Sequence, residues 1–451
     1  MTSLYQNYDV LVSKGQQQVR RDALEIAQAG IEHAIPYQAT KRLIRLESGE
    51  LIVGDKRFLL DKIGKIYVVG AGKGSFPIAK ALEEILASRI EKGIVVVKEG
   101  EKRRLQYIET FESSHPIPDE RSLIGARKIM DVLREAQEND LVFAAITGGS
   151  SALVNLPLGQ ITIDELKKMN TMLLRCGAPI GEINAVRKHI CGIKGGRVVQ
   201  MGQPACVITL TLDTAPPGMP WPDMCLPDPT RFEDAVHVLK IYDLWDETPE
   251  SVKRYLLKGL EDESLETLKS LDGMKHMLFS VADPRSCCVA AAQRAEALGY
   301  SSHILGTALE GEARDMGIFL AGVAKEIVRF GRPFTRPCAL ITGGETTVTI
   351  VDTPGAGGPN QETSLGFAEK APTDCEVACV SIDTDGTDGP CTIAGGISDG
   401  ETLSRAAQMG LDIKAALKHH NSSEILIALG DDIVTGHTGT NVMNLRVVVI
   451  R

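Results

Sequence analysis

Short apolar runs, each closing on a glycine turn and followed by an amphipathic helix, recur along this chain and limit what it can fold into. KIYVVGAGKG reads as a strand and turn, SFPIAKALEEILASRI as a helix and GIVVVKEG as the next strand. The alternation continues through LIGARKIMDVLREAQ, DLVFAAITGGSS, TIDELKKMNTMLLRCG and PACVITLTLD. These strands are apolar nearly throughout, which is what helices covering both faces of a parallel sheet require. A second series begins at KHMLFSVAD and ends in NVMNLRVVVI. Before the first series, helical spacing predicts a helix over Asp22–Ile35, and ESGELIVGDKRFLL carries the turn signals of a hairpin.

At 451 residues the chain is long enough for more than one core. Two α/β domains facing each other across a cleft are expected: a Rossmann-like one with a mostly parallel sheet over residues 1–240, and a smaller one over residues 241–451. Pro216, Pro217, Pro220, Pro222, Pro227 and Pro229 interrupt any regular element. That stretch and the helices after it read as the connection.

Composition narrows the class of function. With 49 Lys+Arg against 59 Asp+Glu the net charge is −10, which leaves no electrostatic footprint for nucleic acid. No apolar run reaches the roughly 18 residues of a membrane span, and MTSLYQNYDVLVSKGQQQ lacks the apolar core of a signal peptide. A cytoplasmic enzyme acting on a small-molecule substrate is expected, without nucleic-acid or membrane partners; a homodimer stays open. The ten cysteines lie in apolar stretches without any Cys-x-x-Cys, and read as buried thiols. The nine histidines show no zinc-site spacing.

Several loops could carry chemistry. VVGAGKGS puts Gly70, Gly72 and Gly74 around Lys73 at a strand-to-helix turn, a place where backbone N–H groups can meet an anion. Ser75 stands where a dinucleotide fingerprint needs its third glycine, so that fingerprint is incomplete. TGGSS, with Ser150 and Ser151, is a second such turn and does not match a hydrolase nucleophile elbow. NAVRKHICGIKGGR gathers Arg187, Lys188, Lys194 and Arg197 around His189, suited either to an anionic ligand or to a solvated helix face. SIDTDGTDGP supplies Asp383, Asp385 and Asp388, hard oxygen ligands of the kind Mg²⁺ takes beside phosphate. GHTGTN adds Thr438, Thr440 and Asn441 before the last strand. Donor loops, a lysine and an Asp cluster point to phosphoryl-group handling more than to hydride transfer.

VVGAGKGS, SSHPIPDERS, INAVRKHICGIKGGR, SIDTDGTDGP and TGTNVMNLRVVVI resemble, in order and over nearly the whole chain, the two-domain glycerate 2-kinases of the MOFRL family. The resemblance implies transfer of the γ-phosphoryl of ATP, with Mg²⁺, to a hydroxyl of glycerate or a related hydroxy acid. It places the catalytic lysine on Lys73 and adds Asp383 and Asp385 as catalytic or metal-binding groups, with Asp388 as a third metal ligand. Gly72, Gly74, Ser150, Ser151, Arg187, Lys188, Lys194, Asn360, Glu362, Thr438, Thr440 and Asn441 then bind substrate or phosphate. Some relatives are labelled hydroxypyruvate reductases, so an NAD(P)H-dependent reductase and a non-catalytic ligand-binding relative stay open as alternatives.

The chain also departs from the family pattern. Ser150 stands where the family usually has a third glycine, and Pro359 where it usually has an arginine. The stretch from Thr211 to Arg231, with Met219 and Trp221, is rewritten. Pro359 offers no side-chain donor and no N–H. On that ground D-glycerate is expected to rank below a larger or differently charged hydroxy acid or polyol.

Overall fold

The computed structural model describes residues 3–100, 104–214, 221–350 and 355–451. Pro216, Pro217, Met219 and Pro220 therefore lie outside the described residues. The chain divides into two compact units, residues 36–281 and residues 1–35 with 282–451.

The 36–281 unit opens with a three-stranded antiparallel meander, β1 (Ile44–Glu47), β2 (Glu50–Val53) and β3 (Lys56–Leu59), one strand more than the expected hairpin. Its main sheet contains β4 (Ile66–Ala71), β5 (Ile90–Lys98), β6 (Glu109–Ser113), β7 (Leu141–Ile146), β8 (Cys206–Leu212) and β9 (His276–Ala282). The order is β6-β5-β4-β7-β8-β9, and β6/β5, β5/β4, β4/β7 and β7/β8 all pair parallel. Both faces of β4 are buried. Tyr67, Val69 and Ala71 meet Ala126, Ile129 and Leu133 of helix Glu120–Glu135, whereas Ile66 and Val68 meet Phe76, Ile78 and Leu82 of helix Ser75–Leu86. A two-residue period with both faces apolar is why these strands read as unbroken hydrophobic runs.

The expected boundary at residue 240 is corrected by this packing. Met224 and Cys225 of the proline-rich stretch are fully buried, and Phe232, Val252 and Leu256 of the next two helices join the same core. Strand β9 then takes the edge beside β8. The segment read as a connection is part of the 36–281 unit, because its apolar residues close one face of that sheet.

The second unit is built on a mixed sheet of β10 (Ser301–Gly306), β11 (Cys338–Gly344), β12 (Val377–Asp383), β13 (Gly395–Asp399), β14 (Asp432–Ile433) and β15 (Asn444–Ile450), ordered β10-β11-β15-β12-β13-β14. Only β10/β11 is parallel; β15 lies antiparallel between β11 and β12. The first long helix, Gln17–His33, begins five residues before the expected Asp22, and it packs on β12, β15 and helix Pro284–Ala297. Arg20 on that helix has a side chain with no exposure. It donates from Nη1 to Asp399 at 2.7 Å, from Nη2 to Asp431 and from Nε to the Leu11 carbonyl at 2.8 Å. The N-terminal segment thus belongs to the C-terminal unit.

Candidate active site

In the 36–281 unit the sequence-predicted residues gather at the carboxyl ends of β4 and β7, where ligands bind in open parallel sheets. Which donors are free there differs from the expectation. Lys73 N donates to Gly148 O at 2.8 Å, Gly74 N to Thr147 Oγ1 at 2.9 Å, and Ser75 Oγ to Ala145 O at 2.7 Å. Gly72 N reaches Val96 O at 3.4 Å. The first glycine turn is therefore no open anion cradle: its amides lock it to β5 and to the loop after β7. Gly72 has φ +126°, and a Cβ there would overlap Thr147. The close approach of the two loops, not contact with a ligand, is what requires glycine at that position.

The free donors lie on the second loop. Among the described residues the amides of Gly148 and Gly149 have no acceptor. Ser150 is fully buried, and its Oγ has no partner. Lys73 is exposed and forms no ion pair among the described residues. A Cβ on Gly149 would lie 3.2 Å from His115 Nε2 and 3.5 Å from Lys73 Cγ, so both side chains border this loop. His115 titrates below the usual histidine range, chiefly through burial and then through the charges of Lys73 and Lys98. A neutral imidazole beside two lysines leaves the local charge to the lysines.

The basic segment divides. Lys194 is buried and reaches Ser151 Oγ at 2.6 Å and Asp223 Oδ2 at 3.1 Å. Arg187 is half-buried, donates from Nε to Asn170 at 2.8 Å, and has its pKa lowered by burial against the opposing charge of Asp223. Lys188 instead pairs with buried Asp228 at 3.3 Å, and Arg197 donates to the carbonyls of Lys188, Cys191 and Lys194. These last two hold the segment in place and are not available to a ligand as placed.

In the second unit the acidic cluster lies at the end of β12. Asp383 is pushed up to about 8, first by burial and then by the charge of Asp385, with Glu345 and Asp388 adding to it. Asp385 accepts from Thr387 N at 2.9 Å, and from Asn441 Nδ2 at 3.2 Å. Asp388 departs from its expected role. Its oxygens accept from the backbone amides and the side chains of Asn360 and Gln361, all between 3.0 and 3.1 Å, which ties it to the first turn of helix Pro359–Lys370. Asp388 and Asn360 are structural partners, not open ligands.

Three other expected binding residues are likewise engaged. Thr438 Oγ1 donates to Thr384 O at 2.5 Å, Thr440 Oγ1 to Ala34 O at 2.7 Å, and buried Glu362 pairs with His420 Nδ1 at 2.9 Å. Glu362 titrates above its ordinary range through burial, partly offset by His420.

Sequence reasoning missed Asp223, His420 and Arg446. Arg446 interrupts the apolar run of β15, a visible signal; it is fully buried, donates to Thr346 Oγ1 at 2.6 Å, and is depressed to about 10 by burial. No group of three or more His, Cys, Asp or Glu among the described residues is arranged to hold a metal ion. Asp383 and Asp385 still fit Mg²⁺ shared with a phosphate, since that ion commonly takes only one or two carboxylates from the protein. The raised Asp383 records its burial first and, after it, the unrelieved like charge of Asp385.

Comparison with known proteins bears on what these loops serve. Residues 22–257 match a domain of unknown function, DUF4147, and residues 338–444 match the MOFRL family. The glycerate 2-kinase of Pyrococcus horikoshii is 41% identical, covering 96% of this chain and 97% of its own. The chain belongs to the MOFRL family of glycerate 2-kinases. A crystal structure of a glycerate kinase from Thermotoga maritima superposes with a TM-score of 0.85 at 35% identity, covering 96% of this MOFRL chain and 99% of its own. An Agrobacterium vitis protein whose name proposes a hydroxypyruvate reductase is 37% identical over 86% of this MOFRL chain and 87% of its own. No described helix of this family member is long and apolar enough to cross a membrane.

Proposed function

We propose that the protein is an ATP-dependent phosphotransferase with an alcohol acceptor, phosphorylating a hydroxyl of glycerate or a closely related hydroxy acid. The observation that carries this reading is the loop after β7. Among the described residues it offers amides without acceptors at Gly148 and Gly149, a buried unpartnered hydroxyl at Ser150, and at its border the side chain of Lys73, which forms no ion pair. Phosphoryl transfer depends mainly on positioning and charge neutralisation, which such a loop supplies without a nucleophile. Lys73 then stabilises the transferred group, and the Ser150–Ser151 turn orients it. Asp383 and Asp385 would hold Mg²⁺, whose chemistry is to neutralise phosphate charge. One carboxylate of this pair could alternatively take the proton of the attacking hydroxyl. Names of close relatives favour glycerate itself over the larger acceptors suggested by Pro359.

The reductase reading is weakened by the first glycine turn, whose amides are engaged within the protein and so cannot cradle a dinucleotide pyrophosphate. One assay decides. ADP release and NADPH oxidation are followed with D-glycerate, larger hydroxy acids and hydroxypyruvate. ADP release led by D-glycerate is expected; NADPH oxidation without ADP release would overturn the kinase reading. A higher kcat/KM for a larger acid would move the substrate while leaving the reaction standing.

A further inference from the structure

Ser151 is held from behind by a buried ion pair. Lys194, 1% exposed, donates to Ser151 Oγ at 2.6 Å and to Asp223 Oδ2 at 3.1 Å, and Asp223 is itself 2% exposed. An ammonium has donors only. Ser151 Oγ is therefore the acceptor in that contact, and its own proton must point elsewhere. No described residue accepts it. The neighbouring Ser150 hydroxyl is buried without a partner, and among the described residues the Gly148 and Gly149 amides have no acceptor. The two amides and the turned-out Ser151 proton are thus open donors, and the Ser150 hydroxyl can serve as a further one. An oxyanion accepts from all of them. A carboxylate has about four lone-pair positions on two oxygens, whereas a phosphoryl group has three oxygens to share among two amides, two hydroxyls and the Lys73 ammonium.

We infer that Asp223 and Lys194 are positioning residues that turn Ser151 outward as a donor, so that residues 148–151 present a donor-rich pocket to a phosphoryl group. The choice of phosphate over carboxylate rests on the phosphotransfer reading.

The test is calorimetric titration of the full chain with orthophosphate. Saturable binding of orthophosphate is expected. Ser151→Ala and Lys194→Met should each weaken orthophosphate binding about tenfold, the usual effect of losing one hydrogen bond to a charged group. Because Lys194 acts through Ser151, the double variant should lose no more than either single one, whereas a merely structural lysine would give additive losses. Should Lys194→Met unfold, Asp223→Asn replaces it, judged by the same non-additivity with Ser151→Ala. Absence of orthophosphate binding, additive losses or an unchanged Ser151→Ala would each overturn the inference. ADP release by wild type alongside any of those results leaves phosphotransfer intact. Orthophosphate binding with the expected variant pattern, but without ADP release, leaves the pocket and removes the kinase.

Discussion

Replacing Arg20 by methionine should destabilise the unit formed by residues 1–35 and 282–451 far more than any surface change. The guanidinium has no exposure and serves Asp399, Asp431 and the Leu11 carbonyl. Methionine fills much of the volume but leaves the Asp399 carboxylate without its cation, held only by hydrogen bonds such as those from Gln16 N at 3.1 Å and Glu401 N at 2.8 Å. Asp431 retains Arg405 at 2.5 Å. Removing one partner from a buried ion pair costs about 3–5 kcal/mol, and Arg405 should hold the loss near the lower end. For a unit of about 200 residues each kcal/mol lowers the melting temperature by roughly 2–4 °C, so a fall of about 6–12 °C is expected. Calorimetry of the full chain gives the shift. Hydrogen exchange locates it, with faster exchange in β12, β13 and helix Gln17–His33 and little change in β4 or β7. A variant melting within about 1 °C of wild type, or exchanging faster in β4 and β7 instead, would refute the assignment of Arg20 as the tie between the N-terminal helix and this sheet.

Other outcomes follow from the same geometry. Gly72→Ala should abolish transfer while leaving most of the far-UV spectrum, because a Cβ at φ +126° overlaps Thr147; near-normal turnover would contradict the interlocked loops. Asp385→Asn should raise the Mg²⁺ concentration needed for half-maximal rate with the fold intact, and an unaltered Mg²⁺ titration would place the ion elsewhere. Glu266 is held down to about 2 against the desolvation of its site by Lys269, the Phe232 amide and His189. Its contribution is fully present above its unfolded value near 4.5 and is lost as pH falls through about 2. Glu266→Gln should therefore cost about 1–2 kcal/mol at neutral pH after screening and little at pH 2, read from urea unfolding at both pH values.

Much of the fold is legible in the sequence, because runs such as Ile66–Ala71 and Leu141–Ile146 can be buried on both faces only between helices. The placement of Lys73 and of the serines at 150 and 151 just after strand ends is also legible, from the glycine turns that follow each apolar run. Which of two similar turns keeps its donors free is not. GAGKG and TGGSS look alike as strings, and only the approach of Val96, Thr147 and Gly148 to the first decides that it is closed and the second open. Asp388 shows the same limit. Its spacing from Asp383 suggests a ligand set, yet its oxygens face the amides of a helix that lies 27 and 28 residues earlier in sequence. Nor does any local pattern tell that Gln17–His33 packs against the final strand, since that contact joins opposite ends of the chain.

That last contact has consequences for how the protein is made. The helix carrying Arg20 is synthesised well before its partners Asp399, Asp431 and strand β15, which follow some four hundred residues later. The 36–281 unit has all its strands in one continuous stretch and can close while translation proceeds. The other unit must wait, with the apolar face of an early helix uncovered until some four hundred further residues have been added. At about 5–20 residues per second that interval is roughly 20–80 s, long enough for a chaperone to occupy the helix or for two nascent chains to exchange it. The same arrangement makes the second half of this chain a poor candidate for separate expression: a fragment beginning at residue 282 would leave Asp399 and Asp431 without Arg20.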